Sequence, residues 1–173
     1  MGTPPDLYLG LISGTSADGV DAALLSIREG HHQSDDDPVT ADATVRVEAA
    51  LTHPFREEQR TAILALCTPG HQEIARLGEL DRELGHVFAE AALSLLHAQG
   101  VKPGQVRAIG SHGQTVRHCP ARDDPARHSF TLQIGDPHTI AERTGITTIA
   151  DFRSRIDERV RSAALEDDME PFF

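Results

Sequence analysis

Apolar positions near the start of the chain form two short runs, Tyr8 to Ile12 and Val20 to Ile27, with a polar stretch from Ser13 to Gly19 between them. The runs predict two strands, and Asp18-Gly19 predicts a tight hairpin joining them. From Ala43 to Leu51, Val45, Val47 and Ala49 alternate with Thr44, Arg46 and Glu48, the rhythm of a half-buried third strand. The intervening stretch from Arg28 to Asp42, with His31-His32-Gln33-Ser34-Asp35-Asp36-Asp37-Pro38, predicts an exposed connector.

The period then lengthens. A short helix is expected from Arg56 to Cys67, stopped by Pro69-Gly70, and a long one from Gln72 to Gln99. In the long helix Ile74, Leu77, Leu80, Leu84, Val87, Phe88, Ala91, Ala92, Leu95 and Leu96 recur at steps of three and four, giving a continuous apolar face. Gly78 and Gly85 would each cost about 1 kcal/mol against alanine in an exposed helix, which predicts close packing at both. Gly100 supplies a C-terminal stop. Val106 to Gly110 predicts a buried strand that ends at a polar segment, Ser111-His112-Gly113-Gln114-Thr115. A loop with Pro120 and Pro125 leads to a strand at Phe130 to Ile134, a brief helix at His138 to Arg143 and a last strand at Thr147 to Ala150. Strands with intervening helices predict an α/β layer architecture.

Length and charge narrow the choice. The chain has 173 residues, the size of one domain, and a net charge of −11, which argues against a nucleic-acid or anionic-membrane surface. No apolar run reaches the roughly 18–20 residues of a membrane span, and the N-terminus lacks the build of a signal peptide. Cys67 and Cys119 match no metal spacing and point to a reducing compartment, so a cytoplasmic location is expected. Lys102 is the only lysine among the 16 lysines and arginines. The glycine-lysine pair of a P-loop and the strand lysine of a protein kinase are both missing. A phosphate site here would rest on backbone amides, hydroxyls and a metal.

Polar groups gather at the predicted strand ends: Gly14 to Asp21, Ser111 to Thr115, Gly135-Asp136 and Asp151 to Arg153. Ligands of open α/β sheets bind in the crevice beyond such ends, so the four segments predict one cleft. Gly14 and Gly19 permit close approach to backbone N–H groups, Thr15 and Ser16 add hydroxyls, and Asp18 and Asp21 suit a hydrated magnesium ion. The same residue types also make ordinary turns. His112 and Gln114 offer paired hydrogen-bonding groups suited to a sugar or peptide, or else a polar turn with a structural histidine. Asp151 and Arg153 suit a polar ligand or an ion pair at a strand end.

Four segments in this order resemble the anhydro-N-acetylmuramic acid kinases: Gly10 to Leu24, Gly110 to His118, Thr131 to Asp136 with Ile140-Ala141, and Ile149 to Arg153. The resemblance implies a ribonuclease H-like, actin-like ATPase lobe, a mixed sheet with flanking helices, over residues 1–155. It implies use of ATP and Mg2+ to convert 1,6-anhydro-N-acetylmuramic acid to N-acetylmuramic acid 6-phosphate. Gly14, Thr15, Ser16, Ala17, Asp18, Gly19, Val20 and Asp21 then correspond to the nucleotide-phosphate hairpin, with Asp18 near the metal through water. His112, Gly113, Gln114, Thr115, Asp151 and Arg153 correspond to the sugar side.

After Arg155 the family continues with an acidic residue and Gly-Gly-Gln-Gly-Ala-Pro-Leu, whereas residues 156–173 read as a divergent, charged tail. The family's second lobe and its water-activating base are expected beyond the matched region, so no catalytic residue is assigned. The expectation is a kinase lobe inactive by itself, or a non-catalytic half that binds sugar or phosphate. A third possibility is a nucleotide-gated binding module of the same superfamily. An exposed apolar face is expected to favour a homodimer or a separately encoded second lobe.

Overall fold

A computed structural model describes residues 5–28, 44–119 and 130–153. The expected connector at His31 to Pro38, the loop with Pro120 and Pro125, and the tail after Arg155 lie outside the described residues. The strands are β1 (Asp6–Ser13), β2 (Gly19–Arg28), β3 (Thr44–Pro54), β4 (Val106–Cys119), β5 (Phe130–Ile134) and β6 (Thr148–Ile149). The helices are α1 (Glu57–Leu66), α2 (Glu73–Ala98) and α3 (Pro137–Thr144), with a 3-10 turn at Pro103–Gln105.

The strands form one mixed sheet ordered β3-β2-β1-β4-β5, with β6 also paired to β4. β1, β2 and β3 make an antiparallel meander, β4 returns parallel to β1, and β5 runs antiparallel to β4. β6 adds a short parallel pairing at Ile109 and Gly110. This is the mixed sheet with flanking helices expected of an actin-like lobe.

One face of the sheet is buried beneath α1 and α2. Leu9 and Leu11 of β1, Val20, Ala22 and Leu24 of β2, and Ile109 of β4 meet Ile63 of α1 and Leu84, Phe88, Ala92 and Leu95 of α2 in one core. Each large side chain so buried contributes about 1.5–3 kcal/mol relative to exposure. The opposite face is lined by small residues, Gly10, Ala23, Ala50 and Gly110, around a shallow cavity of ≈ 490 Å³. Phe152 lies against Gly110 there, and Phe152 and Ile12 remain partly exposed.

Several local expectations are corrected. The hairpin does not turn at Asp18-Gly19: the Ala17 N–H donates to the Gly14 carbonyl (3.2 Å), so the turn is Gly14 to Ala17, with Ala17 left-handed at φ 51°. The first half of β3 is not half-buried, since Val45 and Val47 are 57% and 66% exposed. β3 is an edge strand, and it is Ala49 and Leu51 that pack against the core. Ile74 is 89% exposed, so the apolar face of α2 starts at Leu77 and Leu80. Gly85 packs closely, as expected: a Cβ there would lie 2.9 Å from Thr139 Cβ and 3.0 Å from the Asp136 carbonyl oxygen. Gly78 has nothing within 4 Å of such a Cβ, so close packing is not its role. β4 does not end at Gly110 but continues through Ser111 to Thr115 as far as Cys119.

A polar clasp joins α2 to α3. The Asp81 carboxylate accepts the Gly135 N–H (2.7 Å), and its carbonyl accepts the Asp136 N–H (3.1 Å). Asp136 caps α3 by accepting the His138 and Thr139 N–H groups (both 3.1 Å) and the Thr139 hydroxyl (2.5 Å), and it pairs with Arg82 at 2.6 Å. Burial pushes the Asp136 carboxyl upward, but these hydrogen bonds and the Arg82 charge outweigh it and hold the group below the ordinary aspartate value.

Because the folded value is lowered, Asp136 adds stability above the unfolded aspartate pKa and loses it as pH falls through the folded pKa. Asp136→Asn should cost about 1–3 kcal/mol near neutrality and weaken the acid dependence of the melting temperature, measured by thermal unfolding from pH 3 to 7. In the same assay Gly78→Ala should stabilise α2 by about 1 kcal/mol. Gly85→Ala should destabilise by about 1–3 kcal/mol through overpacking.

Candidate active site

The β1–β2 hairpin divides its residues between scaffold and surface. Ala17, Gly19 and Val20 are buried, whereas Gly14, Thr15, Ser16, Asp18 and Asp21 are exposed. Gly19 is required by close approach: a Cβ there would sit 2.4 Å from the His53 carbonyl oxygen of β3. The adjoining Asp18 carbonyl accepts the Phe55 N–H at 3.0 Å, which seats the start of α1 beside the loop. The Asp21 carboxylate accepts the Thr52 hydroxyl at 2.6 Å. The tip therefore offers two hydroxyls and a carboxylate from a backbone held at both flanks.

Donor chemistry at the loop fits magnesium in its hydrated form. No cluster of three or more His, Cys, Asp or Glu side chains able to hold a metal occurs among the described residues. An all-protein cage is thus not formed there. Exposed Asp18 presents a hard carboxylate oxygen, the ligand type that a largely hydrated magnesium ion accepts.

The second polar segment is a bulge inside β4. Pairing to β1 shifts by one residue between Leu11–Ser111 and Ser13–Gln114, and pairing to β5 shifts again between Thr115–Gln133 and Arg117–Leu132. Gly113 makes the first shift possible, with φ 71° and no room for a Cβ, which would lie 2.6 Å from the Ile134 carbonyl oxygen.

The bulge separates two residues expected to act as a pair. In an unbroken strand positions 112 and 114 would share a face. Here His112 lines the open-face cavity with Gly10 and Ile12, whereas Gln114 is buried at 1% exposure. Gln114 accepts the Ser13 hydroxyl (2.5 Å) and donates to the Thr115 carbonyl (3.0 Å). The Thr115 hydroxyl accepts from Gln133 Nε2 at 3.1 Å.

A polar cavity of ≈ 350 Å³ opens beside the bulge, with His112, Gly113 and Asp151 in its wall. Of the six residues expected on the sugar side, these three share that cavity, while Gln114 and Thr115 support it from within the sheet. Asp151 is left-handed at φ 61° just after β6, and Arg153 is half-buried two residues on. Asp81, Ser111 and Gln133 also line the cavity, and none of them was given a role from the sequence. Ser111 is 1% exposed, and its hydroxyl has no hydrogen-bond partner among the described residues. Asp81 resembles any solvated helix carboxylate until its bond to Gly135 is seen. Ser111 belongs to the polar motif, but only tertiary packing shows that its hydroxyl is unpaired.

Comparison with known proteins places the chain in a family. The family model described as anhydro-N-acetylmuramic acid kinase matches residues 6–157. An anhydro-N-acetylmuramic acid kinase of Shewanella amazonensis is 48% identical over 149 residues, covering 86% of this chain and 36% of that protein. One of Vibrio parahaemolyticus is 43% identical over 150 residues, covering 87% and 36%. One of Xanthomonas campestris pv. campestris is 48% identical over 154 residues, covering 88% and 37%. The chain spans little more than a third of the length of these curated relatives.

The two glycine positions of the hairpin should respond differently. Gly19→Ala should lower the melting temperature and broaden the β2–β3 amide resonances, because its Cβ meets backbone that cannot move aside. Gly14→Ala should change stability by less than about 0.5 kcal/mol and leave those resonances sharp, since its Cβ would meet only Ser16 Oγ at 3.9 Å.

Proposed function

Because the chain belongs to the anhydro-N-acetylmuramic acid kinase family, we propose that it forms the nucleotide- and sugar-binding lobe of a kinase acting on 1,6-anhydro-N-acetylmuramic acid. In that reaction water adds at C1, the C1–O6 bond of the anhydro bridge breaks, and O6 takes the γ-phosphoryl group of ATP. The products are N-acetylmuramic acid 6-phosphate, ADP and a proton. Phosphoryl transfer of this kind depends mainly on positioning and charge stabilisation.

One observation carries the reading. The hairpin base and the bulge beside the polar cavity are joined by a buried hydrogen bond from Ser13 to Gln114, so both polar segments belong to one end of one sheet. In this assignment the hairpin from Gly14 to Asp21 meets the phosphates through its backbone N–H groups and the Thr15 and Ser16 hydroxyls. Asp18 holds hydrated magnesium, which when bound neutralises phosphate charge. His112, Gly113, Gln114, Thr115, Asp151 and Arg153 serve the sugar side, three of them by lining the cavity and two by shaping it. No described residue is assigned the base that activates water. No helix among the described residues is long and apolar enough to cross a membrane; the proposed setting is the cytoplasm, where ATP and a small sugar substrate meet.

Calorimetry tests the assignment. The purified chain is expected to bind the anhydro sugar and magnesium-ATP, and His112→Ala is expected to weaken sugar binding about tenfold while leaving ATP binding unchanged. Release of the 6-phosphate in the same mixture reports whether these 173 residues also turn over. Sugar binding without turnover favours the binding half-protein. Failure to bind either ligand would overturn the proposal.

A further inference from the structure

The hairpin proposed to meet phosphate carries Asp18 and Asp21 but no lysine or arginine within Gly14 to Asp21. Phosphate oxygens approaching two carboxylates are repelled unless a cation stands beside them, and the chain's net charge of −11 adds to the difficulty. Arg60 meets this need from another part of the sequence. Its Nε lies 3.8 Å from Asp18 Oδ1, a distance for an ion pair but too long for a hydrogen bond.

The approach is built by backbone. Gly19 packs against the His53 carbonyl, the Phe55 N–H is bound to the Asp18 carbonyl, and Arg60 donates its N–H to the Arg56 carbonyl (3.0 Å) in the first turn of α1. The start of α1 is thereby held against the loop, and Arg60 with it.

Stability does not account for this arrangement. The Arg60 and Asp18 side chains are 43% and 71% exposed, and a pair so open to water adds little. The Arg60 Nε is buried with no hydrogen-bond acceptor among the described residues, which is a cost to the fold rather than a gain. The rest of the guanidinium is open to solvent beside an exposed hydroxyl-rich loop, a placement suited to a phosphate ligand.

We propose that Arg60 is a phosphate-contacting residue of the β1–β2 hairpin, balancing Asp18 in the free protein and donating to phosphate oxygens when a nucleotide triphosphate binds. Asp18 is then released from the pair and available to a hydrated cation. The inference rests on the reading of the hairpin as a phosphate site, and it adds a cation that the hairpin's own residues lack.

The test is calorimetry of the full chain with magnesium-tripolyphosphate and magnesium-ATP, and separately with the anhydro sugar. Arg60→Met should weaken both phosphate ligands about tenfold or more, leaving sugar affinity unchanged and the melting temperature no lower. Arg60→Lys should keep part of the phosphate affinity and Arg60→Gln should not, a contrast that stays readable if the methionine variant folds poorly. Equal phosphate affinity in parent, methionine and glutamine forms would overturn the role of Arg60 while leaving the hairpin assignment standing. A parent chain that binds the sugar but neither phosphate ligand would overturn the hairpin assignment, and the role of Arg60 with it.

Discussion

Ser13 and Gln114 stand 101 residues apart in the chain, yet the hydroxyl of one donates to the amide oxygen of the other in the interior of the sheet. The contact exists because β4 carries an extra residue between Ser111 and Gln114 opposite β1, and this bulge rotates Gln114 to the helix-covered side. A buried amide left without its partner would cost about 1–3 kcal/mol, so the bond and the bulge stabilise each other. The hairpin emerging from β1 is thereby tied to the segment that lines the polar cavity.

The wall of that cavity has a second support. Asp81 and Arg82, on successive positions of α2, reach Gly135 and Asp136 at the start of α3. The close seat of Gly85 against Thr139 lets the two helices approach. Charge-assisted hydrogen bonds to Asp136 are among the stronger polar contacts available to a small fold, and they lie beside the cavity. Among the described residues the site is thus framed by sheet and helices.

The family adds chemistry to this frame. Its relatives are named as anhydro-N-acetylmuramic acid kinases, and a transfer of phosphoryl charge needs cations near the phosphates. A chain with a single lysine draws on arginine for charge. Arg60 at the hairpin therefore fits both the composition and the chemistry, although its sequence position lies far from the motif.

Much of the fold was legible in local patterns. The meander from β1 to β3, the amphipathic core of α2 and the order of later elements follow from periodicity, because burial of one face imposes it on the residues themselves. The hairpin and the Ser111 to Thr115 segment stood out because glycine, hydroxyl and carboxylate groups are concentrated there. Other features depend on neighbours that a linear pattern does not contain. Val45 and Val47 alternate like buried residues but lie on an edge strand, and Ile74 has the right spacing but lies beyond the packed part of its helix. His112 and Gln114 are two apart and would share a face, until a bulge made possible by Gly113 places one toward a cavity and the other in the interior. Local sequence by itself determined the elements and where polar chemistry collects, since those follow from side-chain period and turn composition. Tertiary structure alone decided which polar groups point outward, which hold the sheet together and that Arg60 stands beside Asp18, since register, bulges and helix docking are set by residues distant in the chain.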